Sequence, residues 1–141
     1  MRTSALLLAL VAFTGSAHAG FVVVKNAKNP TAKLNAEAAR GVFSGKTRTW
    51  SNGENIVLVI GKEDVPAMSF IAQTFFHTNA KTYLAKLKQD VFKGDVTHPV
   101  SADDNAKTLD RVKTGAGVIG VIDDSAAKAL PAGVVLLAVD P

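Results

Sequence analysis

Val42-Phe43-Ser44-Gly45-Lys46, then Trp50-Ser51-Asn52-Gly53, then Ile56-Val57-Leu58-Val59-Ile60, set the architecture of this chain. The three pieces read as a helix end, a loop closed by glycine around the single tryptophan, and a strand. Gly45 suits the helix stop because a residue without Cβ enters positive φ at little cost. Five apolar residues in a row predict a strand covered on both faces, since a half-exposed strand would alternate.

Upstream, Phe21-Val22-Val23-Val24 is a short β-branched run that predicts another buried strand. Ala27 to Lys33, with Asn29-Pro30, predicts a turn. Asn35 is placed to cap a helix running to Phe43, with Leu34 in the staple position and Glu37 in the first turn. Downstream, Asp64 is expected to cap a second helix with Pro66 in its first turn, and Met68, Ile71 and Phe75 recur at helical spacing. Asn79 opens a third helix with the apolar stripe Ala80, Leu84, Leu87 and Val91, ended by Gly94. Ser101-Ala102-Asp103-Asp104 is close to a capping box for a fourth, with Ala106, Leu109 and Val112 on one face. Val118 to Ile122 and Val134 to Val139 predict two more strands, with a short helix near Ser125 to Leu130 between them. Apolar strands alternating with helices predict an α/β fold: a single open, largely parallel or mixed sheet of four to five strands, flanked by helices on both faces.

The first nineteen residues read differently. Arg2 gives a positive start, Ala5 to Phe13 is continuously apolar, and Ala17-His18-Ala19 supplies the small-x-small cleavage pattern of a secretory leader. Nine apolar residues fall well short of the roughly 20 that span a bilayer. Residues 1–19 are therefore expected to be a cleaved signal peptide, and 20–141 a single domain. A domain of that length buries roughly two-thirds of its unfolded surface and needs no staples, which fits a chain with no cysteine. Without cysteine there is also no lipid-anchor site, so the expected location is the periplasm, free of the membrane.

Arg2 leaves with the leader, so 15 of the 16 Lys and Arg remain against 12 acidic residues. The cations are scattered and not interleaved with aromatic residues, a poor footprint for nucleic acid. A mildly basic surface suits anionic solutes, and it equally suits plain solubility.

In order along the chain, several segments resemble one family, the phosphate-binding components of ABC transporters. Phe21 to Pro30 resembles their strand-to-Asn-Pro crossover, and Val42 to Gly53 resembles their phenylalanine, Gly-Lys and tryptophan signature. Gly115-Ala116-Gly117-Val118-Ile119-Gly120 resembles their late glycine turn into a strand, with Val121 where an aromatic residue usually follows. Phe70 to Pro99, with Lys93-Gly94 and His98-Pro99, is similar to a short, single-lobe subset.

The resemblance implies one lobe of the type II periplasmic-binding-protein fold, with ligand at the carboxyl ends of the strands. Those ends are taken as Lys25 to Thr31, Gly61 to Asp64 and Asp123 to Ser125. The family places an arginine just after the second strand, then an acid, then Ser-Gly-Thr. Here the arginine position is Gly61, and Val65, Pro66 and Ala67 replace the hydroxyl-bearing turn. Pro66 also removes a backbone donor. Lys62 remains, beside Glu63 and Asp64. Each hydrogen bond to a charged group contributes about 1.5–3 kcal/mol, so this loss is large.

Three residues are the candidate ligand contacts: Lys62, Asn26 and Asn29. Against this, Lys62 also fits a solvated strand end, and asparagines beside Pro30 also fit turn chemistry. Trp50 fits either stacking on a ligand or packing over its own loop. His77 and His98 have no partner at metal spacing. The pairs Asp103-Asp104 and Asp123-Asp124 suit helix starts better than acid–base chemistry. Neither a Gly-x-Ser-x-Gly elbow nor a serine–histidine pairing is present, which points away from an enzyme. No cofactor is implied. The expected role is a periplasmic solute-binding-type protein related to phosphate transport, binding or presenting a small anion. Expected partners are that anion and membrane transporter or sensor components or a dimer mate. The alternative is an adaptor module that kept the scaffold and lost the ligand.

Overall fold

Gly20 to Asp140 are the residues described by the computed structural model, so the expected leader lies outside them. The chain runs β1 (Phe21–Asn26), β2 (Lys33–Asn35), α1 (Ala36–Phe43), β3 (Val57–Ile60), α2 (Pro66–Phe76), α3 (Ala80–Phe92), β4 (Val100–Ser101), α4 (Asn105–Lys113), β5 (Val118–Asp123), a 3-10 turn (Ala126–Ala129) and β6 (Val134–Asp140). One open sheet forms in the order β2-β6-β1-β5-β3-β4. It has six strands among the described residues, more than the four to five expected. The additions are the two edges, β2 and β4, of three and two residues.

Neighbours β2 and β6, β5 and β3, and β3 and β4 are parallel. Strand β1 runs antiparallel to both of its neighbours. Phe21 therefore lies opposite Asp123, while Asn26 lies opposite Val134 at the start of β6. This corrects the expectation that Lys25 to Thr31 share an edge with Gly61 and Asp123. They lie at the other end of the sheet.

Both faces are covered over β1, β3 and β5, which is why those strands are largely apolar, whereas β6 leaves Val135 and Leu136 exposed. Leu58, Ile119, Val121 and Leu137 pack with Phe43, Ile71 and Leu87 of the helices α1, α2 and α3. On the opposite face, Val59, Val118 and Ile122 pack with Val112 of α4. The alternation between the two sets has the two-residue period of a strand.

The helix starts follow their side chains. Asn35 accepts from the Ala38 amide at 2.8 Å, Asn79 from Thr82 at 2.8 Å, and Asp104 from Lys107 at 2.8 Å. Asp64 does not cap α2: Val65 holds that position without a side-chain bond, and Pro66 opens the helix. Pro66 pre-sets φ and forgoes only an orphan N–H there, so the helix begins without a cap.

The Phe43–Trp50 stretch is fastened as a unit. Gly45 turns the chain at φ 81°. Trp50 is 5% exposed, and its indole donates to the Gly117 carbonyl at 3.0 Å. It packs over its loop and does not stand in a cleft. The Tyr83 hydroxyl donates to the carbonyl of Phe43 at 2.5 Å, satisfying the last residue of α1. Burial holds that phenol well above its ordinary pKa. Lys46 lies 3.9 Å from the buried carboxylate of Asp90 on α3, which Lys86 also grips at 2.8 Å.

Candidate functional site

Gly61 follows β3 at the family's arginine position. A Cβ there would lie 2.8 Å from the Ala102 carbonyl oxygen and 2.8 Å from Val65 Cγ2. A side chain there would force the Ala102 backbone and Val65 to shift, and the amide of Gly61 contacts the Met68 sulfur at 3.4 Å. The arginine implied by the resemblance is thus absent from the sequence and disfavoured by the packing around Gly61.

Beside this connection the N-termini of α2 and α4 converge on a cavity of about 200 Å³ lined by Pro66, Ala67, Asp103, Asp104, Asn105 and Asp123 among others. Convergent helix starts ordinarily attract anions. Here carboxylates already serve the start of α4: Asp104 caps it, and Asp123 accepts from Asn105 Nδ2 at 3.2 Å while its own amide donates to Asn105 Oδ1 at 3.1 Å. Among the described residues, three carboxylates and no cation line the cavity. Like charge opposes an anion at this spot.

Lys62 turns attention to the other side of the same connection. It lines a groove of about 620 Å³ between the β3–α2 connection, the segment His98–Ser101 and α3. From α3 come Lys81, Leu84, Ala85, Lys88 and Val91, which recur at three- and four-residue spacing and so share one helix face. Lys81 and Lys88 are exposed, Leu84 and Val91 are half-buried, and Leu87 is buried. The groove has cations on its rim and apolar side chains on its floor. Among the described residues, Glu63 is the one carboxylate in its lining. His98 Nδ1 lies 3.0 Å from the Pro99 carbonyl.

Asn26 and Asn29 are not brought to Lys62; they lie at the opposite edge. Asn26 Nδ2 donates to the Val112 carbonyl at 2.9 Å, and its Oδ1 accepts from Lys28 N at 2.9 Å. Asn29 Oδ1 accepts from Thr31 N at 2.9 Å. Both amides therefore organise the turn. Buried Lys25 closes it, donating to the carbonyls of Asn29 at 2.7 Å and of Thr31. Burial lowers the pKa of that ammonium.

Among the described residues no three His, Cys, Asp or Glu gather closely enough to hold a metal ion. Among them, too, no helix is long and apolar enough to cross a membrane.

Lys81, Lys88 and His98 were not singled out as ligand contacts by sequence. The available signal was the pair of lysines seven residues apart, flanking the stripe of Leu84 and Val91. What the sequence lacked was the placement of that stripe against Lys62.

No family model matches the chain, and no curated protein matches it significantly. Solved structures do match. An ABC-type phosphate transport receptor from Vibrio cholerae superposes with a TM-score of 0.55 at 16% identity, over 85% of this chain and 46% of that one. A putative phosphate ABC transporter substrate-binding protein with bound phosphate from Clostridium perfringens gives 0.60 at 18% identity, over 85% and 44%. PstS from Borrelia burgdorferi gives 0.62 at 13% identity, over 85% and 47%. The chain spans less than half the length of these structures. At such identities the likeness establishes the fold: one open α/β sheet matching a single lobe.

Proposed function

We propose that this chain, which carries the single-lobe fold of phosphate-type substrate-binding proteins, binds or presents a small phosphate-like anion in a role related to phosphate transport. Lys62 is its principal contact. The observation that supports this is the grouping of Lys62 with Lys81, Lys88 and His98 around one groove beside the end of β3. Cations around a concave, partly apolar wall raise the local concentration of anions and strengthen each contact by excluding water. The acid-lined cavity at the helix starts takes no part, and neither do Asn26 and Asn29.

The proposed setting is the periplasm, reached through cleavage of residues 1–19, with the mature chain acting as a binding protein rather than an enzyme. One lobe encloses less of a ligand than a cleft between two lobes. A transporter or sensor component at the membrane, or a second copy, would then close over the groove.

A thermal melt with and without inorganic phosphate tests the proposal. Phosphate at 100 times its Kd adds about 2.7 kcal/mol, roughly a 10 °C rise for a domain of this size. Lys62→Ala is expected to abolish most of that rise while leaving the ligand-free melt unchanged. A melt indifferent to phosphate and sulfate would remove the proposal and leave an adaptor that kept only the scaffold.

A further inference from the structure

Resting on the small-anion function, we infer that the groove's preferred ligand is a phosphate monoester carrying a compact apolar group, rather than inorganic phosphate. The groove is built of two unlike parts. Its rim carries Lys62, Lys81 and Lys88, and its floor carries Ile60, Leu84 and Val91. Inorganic phosphate is small and hydrated on every side. It satisfies the rim, yet it leaves the floor wet and most of the 620 Å³ unfilled. Hydrocarbon offers none of its oxygens a hydrogen bond.

The arrangement of the cations agrees. Lys81 and Lys88 sit two turns apart on α3, about 10 Å along the axis. Leu84 and Ala85 lie between them. The cations bracket the apolar floor instead of clustering at one point. A ligand with a dianionic head and an apolar body matches both parts at once. Its head meets lysine at the rim while its body dries Leu84 and Val91. Volumes of 300–1,000 Å³ with mainly apolar lining and a few polar anchors are usual for such organic ligands. No bond is made or broken in this proposal; it concerns recognition alone.

Calorimetric titration of the purified protein with inorganic phosphate, phenyl phosphate and phenol, in parallel, tests it. Phenyl phosphate is expected to bind at least tenfold more tightly than inorganic phosphate, and phenol not measurably. Lys62→Gln should weaken both phosphates, whereas Leu84→Ser should erase the tenfold preference and spare inorganic phosphate. Circular dichroism verifies that each variant is folded, and the ratio of affinities in the unaltered protein stands without either variant. Equal affinities for the two phosphates, both reduced by Lys62→Gln, would overturn the ester preference and leave small-anion binding in place. Heat from neither phosphate would overturn both.

Discussion

Gly61 is where the chain departs most sharply from the phosphate-gripping pattern, and its surroundings show that the departure is built in. Backbone from Ala102 and the side chain of Val65 occupy the space a Cβ would need. Gly61→Ala is therefore expected to destabilise the fold by about 1–3 kcal/mol, the usual cost of forcing atoms into a packed site. Chemical denaturation measures this directly, and an unchanged midpoint would show that the connection relaxes freely. The missing arginine was legible in the sequence, because β3 could be located and the positions after it counted. The reason a side chain is disfavoured there was not legible, since it depends on Ala102, 41 positions later in the chain. Trp50 shows the same division. Its loop was recognisable from flanking glycines, whereas its hydrogen bond to Gly117 joins residues 67 apart.

At the level of elements, helices with asparagine or aspartate caps declared themselves, and so did every strand of four or more residues. Three features did not. The edges β2 and β4 are too short to show a period. The direction of β1 left no trace, because a strand buried on both faces has the same composition whichever way it runs. That reversal places Asn26 and Asn29 at the opposite end of the sheet from Lys62. Helix α3 has its own testable anchor in Asp90. Its carboxylate is bonded to Lys86, with Lys46 beyond, and these cations hold it below the usual aspartate pKa against the opposing effect of burial. A folded-state pKa below the unfolded one adds stability at all pH values above the unfolded pKa, and that stability is lost as pH falls through the folded value. Asp90→Asn should thus lower the melting temperature at pH 7, and the gap to the unaltered protein should close in strong acid. A gap independent of pH would mean that Asp90 contributes packing and not charge.

At the scale of the whole fold, the described residues form a sheet flanked by helices on both faces, with two contrasting features beside the end of β3. One is acid-lined and formed by helix starts; the other is lysine-lined and formed by the flank of α3. A family expectation alone directs a ligand to the first, and the charges direct an anion to the second. They share the Gly61 connection, so affinity alone does not separate them. Amide chemical shifts do. In an ¹⁵N-labelled sample titrated with phosphate and then phenyl phosphate, shifts are predicted to concentrate at Lys62, Glu63 and the α3 face from Lys81 to Val91. Shifts concentrated instead at Ala67, Asn105 and Asp123, or none above the effect of added salt, would contradict binding in the lysine-lined groove.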